Sequence, residues 1–208
     1  MAAVIKTLYI VRHGQTDLNK QGIVQGRGMD TDLNDEGRKQ AAQFFNSYGY
    51  LHFDKIYVST LKRTKQSIKS FIDKGVPFET LEGLDELAWG IYEGKPVSTD
   101  TKAAFLHLMR DWTHGNLDVK FENGESPNEV KVRQEKALEV IMSRPEEKSI
   151  LICMHGRAMR LLLCLLTRQP LTKMESFPHQ NLILYKVTYD GENFQIADFN
   201  NSVHLKYY

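Results

Sequence analysis

The chain has 208 residues, of which 41% are hydrophobic and 25% are charged, and its formal net charge is +1. This composition is close to that of an average soluble globular domain, and it excludes disordered, collagen-like, coiled-coil and disulfide-rich classes. The balanced charge gives no basic field for nucleic acid or a membrane surface, so we expect neither as a partner. A small anionic substrate is still compatible, because a few local arginines suffice to bind one.

The two cysteines, Cys153 and Cys164, lie in apolar stretches without metal-ligand spacing, which predicts buried free thiols in a reducing compartment. The longest apolar run, from Leu161 to Leu166, is much shorter than the ~20 residues that a membrane span needs. The first residues also lack the pattern of a secretory signal. We therefore expect a cytoplasmic protein without a membrane segment.

The first half of the chain begins with a strand pattern. Residues 8–11, Leu-Tyr-Ile-Val, form an apolar run typical of a strand buried on both faces, and the run stops at Arg12-His13-Gly14. Residues 14–34 are polar and rich in glycine without periodicity, which predicts a loop. The next predicted elements are a helix over 34–49 capped by Asn34, a strand over 55–59 and a helix over 61–73.

The second half begins with an unclear segment over 90–124, in which the pattern indicates a helix around 103–112 with poorly defined ends. Ser126-Pro127-Asn128-Glu129 has the features of a capped helix start, so we predict a helix from there to Ser143. The remaining predicted elements are a strand over 149–154, a helix over 158–167, and strands over 181–188 and 194–199 joined by Asp190-Gly191.

The alternation of strands and helices predicts an α/β layer fold with helices on both faces of the sheet. In such sheets, ligands bind where the carboxyl ends of the strands open into a crevice. His13 and His155 each follow the end of a predicted buried strand. The sequence therefore predicts that these two histidines lie at the same ligand site.

Five segments resemble, in the required order, the motifs of the histidine phosphatase superfamily, the phosphoglycerate mutase-like proteins. The resemblance implies a three-layer sandwich around a mixed, mostly parallel sheet, formed by one domain over residues 1–208 with a variable lid over 95–123. The segments are 8–19 around Arg12-His13-Gly14, Ser59-Thr60-Leu61-Lys62-Arg63-Thr64, Leu84-Asp85-Glu86-Leu87 with Gly90 and Glu93-Gly94, Gly124-Glu125-Ser126, and Cys153-Met154-His155-Gly156.

The resemblance also assigns roles to residues. His13 would be the nucleophile that forms a phosphohistidine, Glu86 the proton donor and acceptor, and His155 a cation that hydrogen-bonds the phosphoryl oxygens. Arg12 and Arg63 would act in catalysis and hold the phosphate, which suits the planar guanidinium fork. The phosphate-binding set is completed by Asn19, Gln25, Gly26 and Gly156, with His155 counted in both sets. No metal is implied, because the cationic side chains supply the positive charge.

Several assignments stay open at this point. Asp85, Glu82 and Glu93 compete with Glu86 for the role of proton donor. Arg157 either contacts phosphate or points into solvent. The side chains of Phe105, Met109 and Trp112 belong either to the core or to a lid over the substrate, and His107 and His114 are interpreted as incidental rather than metal ligands.

We expect a metal-independent phosphatase that acts on a small phosphorylated metabolite. The segment between Gly94 and Gly124 is short for a phosphoglycerate mutase, and a more open site favours hydrolysis. One alternative is a mutase-type phosphotransferase, which alone would use 2,3-bisphosphoglycerate as cofactor. The other alternative is a phosphate-binding protein without catalysis. The sequence gives no indication of the oligomeric state.

Overall fold

The computed structural model describes residues 5–205. The chain forms six strands and seven helices in that range, with four short 3-10 turns at Glu82–Leu84, Gly90–Tyr92, Leu171–Ser176 and Val203–Leu205. The strands are β1 Lys6–Arg12, β2 Lys55–Val58, β3 Phe78–Thr80, β4 Ser149–Met154, β5 Leu184–Tyr189 and β6 Phe194–Asn201. The helices are α1 Asp17–Gln21, α2 Asp35–Tyr48, α3 Lys62–Ser67, α4 Lys69–Asp73, α5 Thr99–Thr113, α6 Pro127–Met142 and α7 Gly156–Leu166.

The six strands form one sheet in the order β3-β2-β4-β1-β5-β6. The first four strands of this order run parallel to one another, whereas β5 is antiparallel to β1 and β6 is antiparallel to β5. The prediction of a mixed, mostly parallel sheet is confirmed. Because β1, β2 and β4 are parallel neighbours, the residues that follow them emerge at one edge.

Helices cover both faces of the sheet. On one face, the strand residues Leu8 and Ile10 belong to a core cluster with side chains of α6 and α7. On the other face, Val11 packs in a second cluster with Phe44 of α2 and Phe71 of α4. Full burial of one such side chain stabilises the fold by about 1.5–3 kcal/mol, so both clusters contribute strongly. The predicted three-layer arrangement is confirmed.

Several predicted elements have different ends. The helix predicted over 61–73 is interrupted at Ile68, where φ is −118° and ψ is 16°. Just before this point, the Ser67 hydroxyl donates to the Arg63 carbonyl at 2.7 Å and accepts from the Gly14 N–H at 2.8 Å. A serine bonded back to the preceding turn bends a helix, and the second bond ties this bend to the loop after β1.

The strand predicted over 181–188 begins later, at Leu184. Leu182 has φ of 52°, in the left-handed region, and this interrupts an extended chain. The strand predicted over 194–199 continues to Asn201, and α5 begins at Thr99 because Ser98 caps it. The predicted loop over 14–34 contains α1, which the Thr16 side chain caps, and β3 was not predicted at all.

The cysteines agree with the prediction, since Cys153 and Cys164 are both buried free thiols. Within residues 5–205, no helix has the length and apolarity that crossing a bilayer requires.

The predicted helix start at Ser126 is confirmed and forms a complete capping box. The Ser126 hydroxyl accepts from the Glu129 N–H at 3.3 Å, and the Glu129 carboxylate accepts from the Ser126 N–H at 2.8 Å. We expect Ser126→Ala to lower the free energy of unfolding by about 1 kcal/mol, because one N–H of the first turn loses its acceptor. Urea denaturation followed by circular dichroism measures this change. Ser143→Ala, at the exposed other end of α6, is the matched control, and an equal loss in both variants would contradict the prediction.

Candidate active site

The predicted site residues meet at the edge where the parallel strands end. His13 directly follows β1, His155 directly follows β4, and Arg63 lies in the first turn of α3, after β2. The centroids of the two imidazole rings are 5.1 Å apart. A cavity of about 350 Å³ opens there, and its walls are formed by Arg12, His13, Asn19, Val24, Gln25, Arg63, Glu86, Trp89, Phe105, Met109, Gly156, Arg157 and His179.

A larger cavity, of about 620 Å³, lies at the opposite edge of the sheet, next to the residues that precede β2, β3 and β4. It is lined by none of the predicted site residues. Since ligands of open α/β sheets bind at the carboxyl ends of the strands, the smaller cavity is the candidate active site.

His13 is nearly fully buried, and its environment fixes the position of its ring proton. Nδ1 lies 2.7 Å from the Gly14 carbonyl oxygen, which can only accept, so Nδ1 carries the proton and Nε2 keeps its lone pair. Burial, with Arg63 and Arg12 adding repulsion, holds the pKa of His13 well below its usual value. The ring is therefore neutral at neutral pH, and Nε2 is available as a nucleophile.

The backbone around His13 is held from two sides. The Asn181 side chain donates to the His13 carbonyl at 2.9 Å, and the Gly14 N–H donates to Ser67 Oγ at 2.8 Å. A Cβ atom at Gly14 would lie 2.7 Å from the Gly37 carbonyl oxygen. Only glycine fits at this position, because the two backbones approach so closely.

His155 is completely buried behind the cavity and does not line it. Its Nε2 shares a hydrogen bond of 2.7 Å with Ser59 Oγ, and its Nδ1 has no partner within the described residues. Burial, followed by Arg63 and His13, holds the pKa of His155 well below its usual value. Without an anion at the site the ring is therefore neutral, whereas the resemblance had implied a cation.

Arg12 and Arg63 bring two buried positive charges to the cavity. Burial lowers the pKa of Arg12 to about 10 and also lowers the pKa of Arg63. Neither is among the arginines that form ion pairs in residues 5–205. In the same part of the chain, the Nε atoms of both lack a hydrogen-bond partner. A phosphate group would supply the missing acceptors.

Glu86 lines the cavity, and backbone N–H groups hold its carboxylate. Oε1 accepts from Leu87 and Ala158, both at 2.9 Å, and Oε2 accepts from Arg157 at 3.2 Å. Two of these donors belong to the first turn of α7. Oε1 accepts two hydrogen bonds and Oε2 accepts one longer one, so Oε2 keeps more free acceptor capacity.

The three competing carboxylates lie outside the cavity lining. Asp85 accepts from the N–H and the hydroxyl of Thr60, both at 2.8 Å. Glu82 is exposed and pairs with Arg27, and Glu93 accepts from the Trp89 N–H at 2.9 Å. Of the four carboxylates, Glu86 alone is in a position to reach a ligand in the cavity.

The predicted phosphate-binding residues divide into two groups. Asn19, Gln25 and Gly156 line the cavity, although the Gln25 amide is already bonded to the hydroxyls of Thr16 and Thr31. Gly26 does not line it, and its contact with phosphate stays a prediction.

Gly26 acts on the site through Arg63. Its carbonyl accepts from Arg63 Nη2 at 3.4 Å, and the Met29 carbonyl accepts from Nη1 at 2.5 Å. A Cβ atom at Gly26 would lie 1.9 Å from Glu93 Oε1. The glycine is thus required by packing, and it orients the arginine.

Comparison with known proteins identifies the family. The profile of the histidine phosphatase superfamily, branch 1, matches residues 8–202. The chain belongs to this superfamily. The resemblance drawn from the five motifs is therefore confirmed.

Members of the superfamily resemble the chain over nearly its whole length. Phosphoserine phosphatase 1 of Hydrogenobacter thermophilus is 28% identical over 95% of this chain and 93% of its own. A broad-specificity phosphatase of Saccharomyces cerevisiae is 29% identical over 95% of this chain and 86% of its own. The solved structure of YhfR from Bacillus stearothermophilus superimposes with a TM-score of 0.83 at 27% identity, covering 97% of this chain and all of the other.

Sequence reasoning missed His179, which lines the cavity of this superfamily member. Arg12 Nη1 donates to His179 Nδ1 at 3.2 Å. Burial and the positive charge of Arg12 lower the pKa of His179 to about 2. A Cβ atom at Gly156 would lie 2.6 Å from His179 Cε1, so this glycine makes room for the ring. Pro178-His179 belongs to no periodic pattern, and no local signal marked it.

Arg133 was also missed, and it holds the loop that carries Glu86. Its Nη1 donates to the carbonyls of Gly83 and Asp85 at 2.9 Å, and its Nη2 donates to the Glu86 carbonyl at 3.1 Å. Glu125 accepts from Nε of the same guanidinium at 2.9 Å. This arginine of α6 therefore fixes the position of the Glu86 backbone.

Arg157 lines the cavity, and its side chain is only 14% exposed, so the interpretation that it points into solvent is wrong. Its guanidinium pairs with Glu175, which also pairs with Arg160. The guanidinium carbon lies 6.0 Å from the ring centroid of Trp89 and 5.9 Å from that of Trp112. These contacts fix Arg157 against the aromatic wall of the cavity.

The segment over 95–123 contains α5 and contributes to the cavity. Phe105 and Met109 line the cavity, whereas Trp112 is buried in the core and donates to the Val119 carbonyl at 2.8 Å. Trp112 is therefore a core residue, whereas Phe105 and Met109 pack against the core and also line the cavity. A lid function of the segment and the single-domain boundary stay predictions.

His107 and His114 make only local contacts. His107 pairs with Asp111 of its own helix at 3.2 Å, and His114 Nδ1 donates to the Arg110 carbonyl at 2.7 Å. Within the described part of the chain, no three His, Cys, Asp or Glu side chains are grouped as a metal site would require. Independence from metal stays a prediction.

The buried histidines should make stability depend on pH. His13, His155 and His179 have lowered pKa values in the folded chain, so below about pH 6.5 the unfolded chain binds protons that the folded chain does not. Stability is therefore lost as the pH falls, by up to about 1.4 kcal/mol per pH unit for each of these histidines.

Urea denaturation between pH 7 and pH 5 measures this slope. We expect His179→Asn to reduce it by about one quarter, because it removes one of four buried histidines with a lowered pKa, the fourth being His204. His107→Asn changes an exposed histidine and is the matched control. We expect its slope to equal that of the native chain. Equal slopes in the native chain and His179→Asn would contradict the prediction.

Proposed function

We propose that this protein hydrolyses small phosphomonoesters through a covalent phosphohistidine formed on His13 Nε2. The observation that carries the proposal is a neutral imidazole, whose Nε2 is unprotonated, beside two buried guanidinium groups whose Nε atoms find no acceptor in residues 5–205. This arrangement places a nucleophile beside donors that suit a phosphate group. The superfamily membership of the chain supports the same activity.

Arg12 and Arg63 bind the phosphoryl oxygens. Guanidinium groups remain charged and bind phosphate oxygens through two parallel hydrogen bonds, so they orient the phosphorus toward His13. The buried setting strengthens this attraction, because little water competes. Asn19 adds a side-chain amide at the same wall, since its Oδ1 accepts from Thr16 and its Nδ2 remains for the ligand.

In the first step, the lone pair of His13 Nε2 attacks phosphorus and the bond from phosphorus to the ester oxygen breaks. The electron pair of that bond goes to the leaving oxygen, which takes a proton from Glu86. Nδ1 of His13 keeps its proton and its bond to the Gly14 carbonyl, which stabilises the positive charge of the phosphorylated ring. The products are a phosphohistidine, an alcohol and a Glu86 carboxylate.

In the second step, a water molecule attacks phosphorus and gives a proton to the Glu86 carboxylate. The bond from phosphorus to Nε2 breaks, its electron pair returns to the imidazole, and inorganic phosphate leaves. Glu86 is then protonated again and His13 is neutral, so the cycle closes. Acid–base assistance of this kind contributes about 10²–10⁴-fold to the rate.

His155 stabilises the transferring phosphoryl group. Its unpaired Nδ1 is the atom available for this contact, and Ser59 holds Nε2 at the opposite side of the ring. A phosphate dianion in the cavity raises the pKa of His155, because it counters the repulsion from Arg63 and Arg12. The cationic form implied by the motifs is thus proposed for the loaded site.

The short segment between Gly94 and Gly124 favours hydrolysis over phosphoryl transfer back to a bound product. The proposed substrate is a small phosphorylated metabolite of the cytoplasm, and the reaction uses neither a metal nor a cofactor. The related phosphatases of Hydrogenobacter thermophilus and Saccharomyces cerevisiae support hydrolysis as the outcome.

A test in the presence of EDTA uses a panel of phosphomonoesters that includes 3-phosphoglycerate, with and without 2,3-bisphosphoglycerate. We expect release of phosphate from several esters and no 2-phosphoglycerate. His13→Ala should lose at least 99.9% of this activity, because Nε2 is the attacking atom. Bisphosphate-dependent formation of 2-phosphoglycerate with little free phosphate would make the protein a mutase, and binding of phosphate without turnover would make it a binding protein.

A second test concerns the proton donor. We expect Glu86→Gln to slow the hydrolysis of alkyl phosphates at least 100-fold, and to slow p-nitrophenyl phosphate much less, because its phenoxide leaves without protonation. Steady-state kcat/KM for both esters measures the difference. Glu82→Gln changes an exposed carboxylate close in sequence to Glu86 and is the control. We expect this variant to keep the activity of the native chain. Equal losses on both esters in Glu86→Gln would assign the proton to another group.

A further inference from the structure

The candidate cavity has two chemically different ends. One end carries Arg12, Arg63 and the imidazole of His13, which suit a phosphate group. The other end is formed by aromatic and aliphatic side chains, namely Val24, Trp89, Phe105 and Met109. An ester bound with its phosphate at the first end therefore extends its organic group toward the second.

The apolar end adjoins a second groove of about 330 Å³. The groove and the cavity share three lining side chains, those of Val24, Phe105 and Met109. Beyond them the groove is lined by Val97, Lys102 and Leu106, of which Leu106 is 71% exposed and Val97 is 42% exposed. Five of the six side chains that line the groove are apolar, so it suits an apolar group better than a charged one.

Positive charge for an acidic organic group is scarce on this side. Arg157 lines the cavity near Trp89 and shares the Glu175 carboxylate with Arg160, and its Nε has no partner among the described residues. It does not line the groove. Among residues 5–205, Lys102 is the one charged side chain that lines the groove, and a lysine stem can lie along apolar surface with its ammonium in water. A carboxylate in the organic group would meet apolar walls, which costs free energy without a compensating partner.

We infer that the organic group of the substrate is an alkyl chain or an aromatic ring, seated against Val24 and α5 and reaching Leu106. This inference rests on the proposed function, because it takes the phosphate end of the cavity as the reacting end. It names the substrate class as apolar phosphomonoesters rather than phosphorylated amino acids or sugar acids.

The test measures binding, so that it does not depend on turnover. Calorimetry compares methyl-, butyl- and hexylphosphonate, whose phosphonate occupies the phosphate end and whose chain enters the groove. We expect the Kd to fall about threefold for each added methylene, which is somewhat less than full burial of a methylene provides. Methylphosphonate reports the phosphate end alone.

Two variants test where the alkyl chain of the ligand lies. Leu106→Asp places a charge in the groove without touching the phosphate end, so we expect hexylphosphonate to bind at least tenfold more weakly and methylphosphonate to bind as before. Val132→Asp is the matched control, because this valine of α6 is 53% exposed and lines neither the cavity nor the groove. We expect it to bind both ligands like the native chain.

A Kd that does not change with the length of the alkyl chain would overturn the inference. An effect of alkyl-chain length that persists in Leu106→Asp would overturn it as well. Tighter binding of phosphoserine than of hexylphosphonate would also overturn it. Turnover of p-nitrophenyl phosphate, measured on the same samples, tests the proposed function separately. Binding that depends on the length of the alkyl chain, without any turnover, would support the groove as a binding site and would refute the proposed phosphatase activity.

Discussion

The burial of two guanidinium groups without a carboxylate partner is the constraint on which this structure depends. Taking a charge out of water is unfavourable unless hydrogen bonds and opposite charges compensate. Across the described part of the chain, Arg12 and Arg63 each keep an Nε without a partner. Their field, together with burial, lowers the pKa values of His13 and His155. The same desolvated charges that lower the stability of the fold would bind a phosphate dianion strongly, so the loss of stability and the affinity for phosphate have one cause.

Such a site requires support from elements that lie far apart in the chain. Ser67 of α3 and Asn181 hold the backbone at His13, Arg133 of α6 holds the loop of Glu86, and α7 supplies N–H groups to its carboxylate. The parallel pairing of β1 with β4 and of β4 with β2 brings these contributions to one edge. The two core clusters, one on each face of the sheet, provide the stability that offsets the buried charge.

Local pattern explains why part of this could be predicted. A buried strand that stops at a polar pair identifies its own end, so the positions of His13 and His155 followed from the sequence, and Ser126 marked its helix through a cap that needs only neighbouring residues. The contacts of His179, Arg133 and Asn181 join residues about 50 to 170 positions apart, and nothing near them in sequence signals such partners. The break in the helix at Ile68 was missed for the same reason, because the Ser67 hydroxyl accepts a hydrogen bond from Gly14, which is distant in sequence.

The apolar groove also affects how much water reaches the charged end of the cavity. In the proposed reaction, an alkyl or aromatic group that covers Val24, Phe105 and Met109 excludes water while phosphorus is transferred to His13, which strengthens every interaction with Arg12 and Arg63. When this group departs as the alcohol, the same opening admits water to the phosphohistidine. In this proposal the apolar contacts act in the first step alone, whereas Arg12 and Arg63 hold the phosphoryl group through both steps.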